Sequence, residues 1–178
     1  MRLARTVDLT GVTAAEQPAL EFAVSFNTEL GYDNVIVEAT PTGTEQWTTL
    51  PEAGGLTDTT PPTECEAGFL LAMHPFLSHY LTPGDPCAPT GTSGSWNAMT
   101  GNSGGWQQVG FDLSAYAGQS VDLSISYVTD PASGGIGVFV MLRSVLSAAL
   151  PLLMALVGVG VGVAGALSLA AVFERQSI

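Results

Sequence analysis

His74 and His79, with Glu64 and Glu66 close by, are the side chains best suited to hold zinc or pass a proton. Such work needs the groups on one face, and a helix brings together positions three or four apart. Here the spacing is five, and neither H-E-x-x-H nor H-x-x-E occurs, so the pair reads as loop histidines. Gly101-Asn102-Ser103-Gly104-Gly105 fits G-x-S-x-G, but a nucleophile elbow needs a strand-to-helix turn and a histidine base. This serine sits in a glycine-rich loop that leads directly into the strand pattern at Trp106. Gly160-Val161-Gly162-Val163-Ala164-Gly165 fits G-x-G-x-x-G without the preceding strand or the later acidic residue of a dinucleotide site. No catalytic residue is expected. Of the three tryptophans, Trp47 and Trp106 lie in strand patterns, whereas Trp96 lies in a polar loop and is the expected glycan contact.

The charge distribution excludes one class of partner. The chain has a formal net charge of -12 and no lysine, and its four arginines are Arg2, Arg5, Arg143 and Arg175. Nucleic-acid affinity comes largely from cationic side chains replacing phosphate counterions, so nucleic acid is not expected as a partner. The acidity suits solubility in salty or extracellular surroundings, with divalent cation binding the less favoured alternative because no EF-hand spacing is present.

Cys65 and Cys87 are the only cysteines. A lone pair at that spacing, with no C-x-x-C, is poor for zinc and suits a disulfide closing a loop in an oxidising compartment. Residues 1 to 8, MRLARTVD, alternate like a strand and lack the apolar core of a signal peptide. Any export signal is therefore expected outside this chain or in its C-terminal segment.

The elements that would position these residues are short strands. Period-two alternation marks 3–10, 18–26, 106–118 and 120–129, with Leu20, Phe22, Val24 and Phe26 on one face; β-branched residues mark 32–40, the turn at 41–43 leads to a strand at 46–50, and 136–140 is the last. Repeated short strands between Gly, Pro and Asp turns predict a mainly β fold, an antiparallel jelly-roll-like sandwich over residues 1–140. Residues 51–105 break the pattern as a long loop, functional or merely tolerated, with its 65–87 stretch bracketed by the cysteines. Within it, GFLLAMHPFLSHYL at 68–81 predicts a short helix interrupted at Pro75.

From residue 141 the chain changes in kind. Ser144 to Phe173 is a run of thirty uncharged, mostly apolar residues between Arg143 and Glu174-Arg175. About twenty such residues cross a hydrocarbon core, so 141–178 is expected to be one transmembrane α-helix and a short tail, with the lipid bilayer as its partner. Gly158 and Gly162 make a G-x-x-x-G step that would let helices pack closely. The flanking arginines leave orientation undetermined, and the cysteines put the β region on the extracellular side of a single-pass cell-membrane protein.

Two resemblances follow from the residues. LARTVDLTG, GYDNVIVEA, QWTTLP, GTSGSWNAMTGNSGGWQQVGFDLSAYAGQSVDLSISYVTD and GGIGVFV resemble the C-terminal accessory β-sandwich of secreted bacterial zinc carboxypeptidases and immune-inhibitor-A-type metallopeptidases. That implies a jelly-roll-like module beside a peptidase domain, without the zinc ligands, whose partners would be that domain or a cell-surface glycan. It also implies calcium, held by an acidic residue that Asp33 matches and by an Asp pair after the last strand. Met141-Leu142-Arg143 stands where that pair would be. LRSVLSAALPLLMALVGVGVGVAGALSLAAVFERQSI resembles a transmembrane segment of MMPL-type exporters of the resistance-nodulation-division superfamily. No acidic residue lies between Arg143 and Phe173 to couple protons, so this chain alone is not expected to transport. The leading expectation is a non-catalytic extracellular binding module on a membrane helix, needing no cofactor beyond a candidate calcium. Its competitors are a transporter fragment fused to a foreign sandwich and a piece of a carboxypeptidase.

Overall fold

Seven strands organise the residues that the computed structural model describes, which are 1–63, 65, 69–130 and 137–142. They are β1 (Arg2–Asp8), β2 (Ala19–Asn27), β3 (Asn34–Pro41), β4 (Thr48–Thr49), β5 (Gln107–Asp112), β6 (Ser120–Val128) and β7 (Gly137–Leu142). All pairings are antiparallel, in a four-stranded sheet of order β1-β6-β3-β4 and a three-stranded sheet of order β5-β2-β7. The mainly β, antiparallel expectation therefore holds for Met1–Leu142, which form one compact unit.

Period-two alternation decides what each strand buries. Phe22, Val24 and Phe26 of β2 turn into one apolar cluster with Val109 and Phe111 of β5, and the Phe22 and Phe111 rings stack at 5.7 Å. Val35, Val37 and Ala39 of β3 and Val121, Leu123 and Ile125 of β6 enter the same cluster from the other sheet. The two sheets thus share one core.

The opposite face of β3 and β6 is covered as well. Ile36 and Val128 belong to a second apolar cluster with Cys65, Leu70, Leu77, Tyr80, Leu81, Cys87 and Trp96, all from the long loop. That explains why every β3 residue except Pro41 is buried. Much of the 51–105 segment is consequently a third layer over the four-stranded sheet, built around α1 (Phe69–Met73) and a 3-10 turn, Pro75–His79, while Leu56 and Met99 join the first cluster. Pro75 stops α1 as expected, because its ring cannot continue the helical ladder. The Cys65–Cys87 disulfide is present, with a Cα–Cα distance of 4.8 Å and both residues buried.

β7 differs from the expected strand end at Val140. Met141 and Leu142 remain in register opposite Ala23 and Phe22, so the strand runs through the point where the two resemblances meet. No helix among the described residues is long and apolar enough to cross a membrane. The expected helix over 141–178 falls, apart from Met141 and Leu142, outside the described residues, as do Gly158 and Gly162.

Candidate functional site

Residues chosen for chemistry from the sequence are held in separate places. Ser103 is buried; its hydroxyl donates to the Gly105 carbonyl at 2.7 Å, with the Phe26 carbonyl an alternative acceptor at 3.1 Å, and accepts from the Phe26 N–H at 3.0 Å. It clips the end of β2 to the glycine loop. His74 Nε2 sits 2.9 Å from the Thr129 carbonyl, whereas His79 Nδ1 lies 3.0 Å from Ser93 Oγ and its Nε2 lies 3.9 Å from Glu45. In the Ser93–His79–Glu45 series the Ser93 hydroxyl also donates to the Trp47 carbonyl at 2.8 Å, and the 3.9 Å between His79 Nε2 and Glu45 exceeds a hydrogen bond. These groups border an open cleft of about 590 Å³ lined by Thr44, Glu45, Gln46, His79, Thr92 and Ser93.

Trp96 corrects the sequence reading. It is 2 % exposed and packs in the second cluster, and its indole N–H donates to the Thr60 carbonyl at 3.0 Å. A buried tryptophan with its N–H satisfied offers no face to a glycan. Trp106, assigned to a strand from the sequence, is the exposed tryptophan at 51 %. Loop composition misled here because the polar loop lies over a sheet face and sends its large ring inward.

Asp33 shares its end of the sheet with a second buried carboxylate that the sequence did not indicate. β3 begins at Asn34, opposite Val128, and β6 ends there, so antiparallel pairing brings Asp33 and Asp130 to the same end of two neighbouring strands. Both side chains are buried, and the Oδ1 atom of each lacks a hydrogen-bond partner among the described residues. Asp33 Oδ2 accepts the Tyr127 hydroxyl at 3.0 Å. Burial, that hydrogen bond and the charges of Asp33 and Asp130 push the Tyr127 phenol up to about 12. Thr129-Asp130-Pro131 looks like any strand-ending turn, so only the register exposes the pairing.

An unpaired buried carboxylate oxygen is costly, and hard cations with flexible oxygen coordination relieve that cost. Two such oxygens at one end of the sheet, unpartnered among the described residues, are the kind of donor that calcium takes. No group of three or more His, Cys, Asp or Glu gathers among the described residues, so the remaining oxygens would be backbone carbonyls and water. Met141 and Leu142, in the place of the expected Asp pair, belong to the β7 ladder.

No protein-family model matches the chain, and a search of curated proteins finds no match.

Proposed function

We propose that the β region is a non-catalytic accessory module, a jelly-roll-like sandwich steadied at one end by calcium and displayed outside the cell on a single membrane helix. The observation that carries this reading is the buried Oδ1 atoms of Asp33 and Asp130, which lack a hydrogen-bond partner among the described residues. Bound calcium would supply charge neutralisation there, joining the ends of β3 and β6 while the chain's own residues do the rest of the packing. The disulfide suits an oxidising compartment. Ser103, His74 and His79 are each engaged in holding loops, which favours binding over catalysis. The hydroxyls and amide of the Thr44–Ser93 cleft offer the hydrogen bonds a cell-surface glycan uses. A neighbouring peptidase domain is the other partner this module would serve. The thirty-residue uncharged run supplies the anchor in the cell membrane.

Melting the full chain in detergent, with calcium or with a chelator, tests this directly. Millimolar calcium should raise the midpoint by about 5 °C, as for an extracellular site of modest affinity. Asp33→Asn and Asp130→Asn should each remove the shift. A midpoint indifferent to calcium would sink the metal reading, and recovery of the full chain as a detergent-free soluble monomer would sink the anchor.

A further inference from the structure

The most constrained cation in the described structure is Arg2, near the start of an edge strand that otherwise buries very little. In β1 only Val7 is even partly buried, and besides the backbone ladder to β6 the strand is held by Val7 against the first cluster, by the Thr6 hydroxyl donating to Asp122, and at its first end by the half-exposed Arg2 side chain. Arg2 Nε donates to Ser124 Oγ at 2.8 Å and lies 3.5 Å from Glu38 Oε2. Its guanidinium carbon is 4.7 Å from the centroid of the Trp47 ring and 4.8 Å from that of Phe76.

The surroundings of Arg2 are fixed without its help. Glu38 is 0 % exposed, and its carboxylate accepts the Tyr80 hydroxyl at 2.8 Å and the Ser126 hydroxyl at 2.6 Å. Trp47 comes from the segment before β4 and Phe76 from the Pro75–His79 turn, and both pack against the second apolar cluster. A buried carboxylate, a hydroxyl acceptor and two aromatic rings therefore converge from four stretches of sequence. That chemistry selects a planar, weakly hydrated, delocalised cation over a compact ammonium.

We propose that Glu38, Ser124, Trp47 and Phe76 form a guanidinium-binding site which the chain's own Arg2 fills, making β1 a strap whose first end is fastened by that side chain. Its ligand class is an arginine side chain presented on an extended strand, and the occupant in this chain is residue 2 itself. Release of the strap would open the site and the edge of β6 together, leaving backbone groups ready to pair with another strand.

The test uses the full chain in detergent with Arg2→Ala, probed with ethylguanidinium and with ethylammonium by calorimetry and melting. Ethylguanidinium should bind the variant with a millimolar dissociation constant, at least about tenfold more tightly than ethylammonium. It should bind neither the wild-type chain nor Arg2→Ala/Glu38→Gln. Amides of residues 3–7 should exchange at least about tenfold faster in Arg2→Ala, with those of β3 unchanged. Should Arg2→Ala not fold alone, refolding with ethylguanidinium and not with ethylammonium would support the site. Equal responses to the two cations, equal responses of variant and wild type, failure of that rescue, or unchanged β1 exchange would each overturn the proposal.

Discussion

The Tyr80 hydroxyl donates a 2.8 Å hydrogen bond to Glu38, joining the loop layer to a carboxylate that the four-stranded sheet buries completely. Without donors that carboxylate would be a buried charge facing hydrocarbon, which folding does not tolerate cheaply. Replacing Tyr80 by Phe keeps the ring in the second cluster and removes one donor, so the chain should lose about 1 to 3 kcal/mol in urea unfolding.

The same contact predicts an alkaline signature. Burial first, and then the negative charge of Glu38, push the Tyr80 phenol far above its ordinary value of 10.0. A raised folded-state value favours the protonated, folded form, so its stabilisation is intact below pH 10 and is lost progressively as pH rises above that. In an absorbance titration of the four tyrosines, Tyr80 should ionise only on unfolding, and Tyr80→Phe should remove that late step.

Acid sensitivity should centre on Glu52, which fastens the loop layer to β5. Burial opposes its ionisation, but backbone N–H groups of Leu56, Gly54, Gly110 and Gly55 prevail and hold its carboxyl below 4.5. The Leu56 N–H donates at 3.0 Å and that of Gly110 at 3.3 Å. A lowered folded-state value gives stability that is present above pH 4.5 and disappears as pH falls through the folded value. Glu52→Gln should cost about 1 kcal/mol at pH 7 and flatten the fall in stability below pH 4.5, read from urea midpoints against pH. An unchanged acid limb would place the main acid-sensitive group elsewhere.

Cys65 and Cys87 close the loop layer on itself across 22 residues. The chain-entropy model gives such a crosslink about 3 kcal/mol. Cys65→Ser/Cys87→Ser should lower the melting midpoint by several degrees, chiefly by loosening the layer over Ile36 and Val128. Exchange of the β2 and β5 amides, which face only the first cluster, should change least.

How much of this was legible in the sequence depended on whether the deciding force was local. Strand alternation reports burial of one face, so the Phe22-Val24-Phe26 stripe and the break at Pro75 appear in both sequence and structure. Burial of both faces of β3 was not legible, because the second cover comes from a loop whose composition reads as surface. That inversion hid Trp96 and made Glu38 look like an ordinary strand carboxylate. Asp130 escaped because its placement at the same sheet end as Asp33 is a matter of register between strands about a hundred residues apart.

The loop layer also depends on glycine at a position where composition alone would suggest only flexibility. The Gly91 N–H donates to the Tyr80 carbonyl at 3.0 Å, which draws the 88–94 stretch against the end of the Pro75–His79 turn. A Cβ built on Gly91 would collide with the backbone of His79 and Tyr80, and backbone has less room to yield than a side-chain tip. The same strand of loop carries Thr92 and Ser93 of the cleft, and Ser93 is the hydrogen-bond partner of His79. Gly91→Ala should therefore destabilise the chain by about 1 to 3 kcal/mol and move the His79 ring resonances, because the Ser93 contact must shift with the backbone. Gly55→Ala, where a Cβ meets nothing within 4 Å but φ is +85°, isolates conformational strain from steric overlap. If the two variants lose equal stability and neither moves the His79 resonances, the close approach at Gly91 is not what positions the cleft.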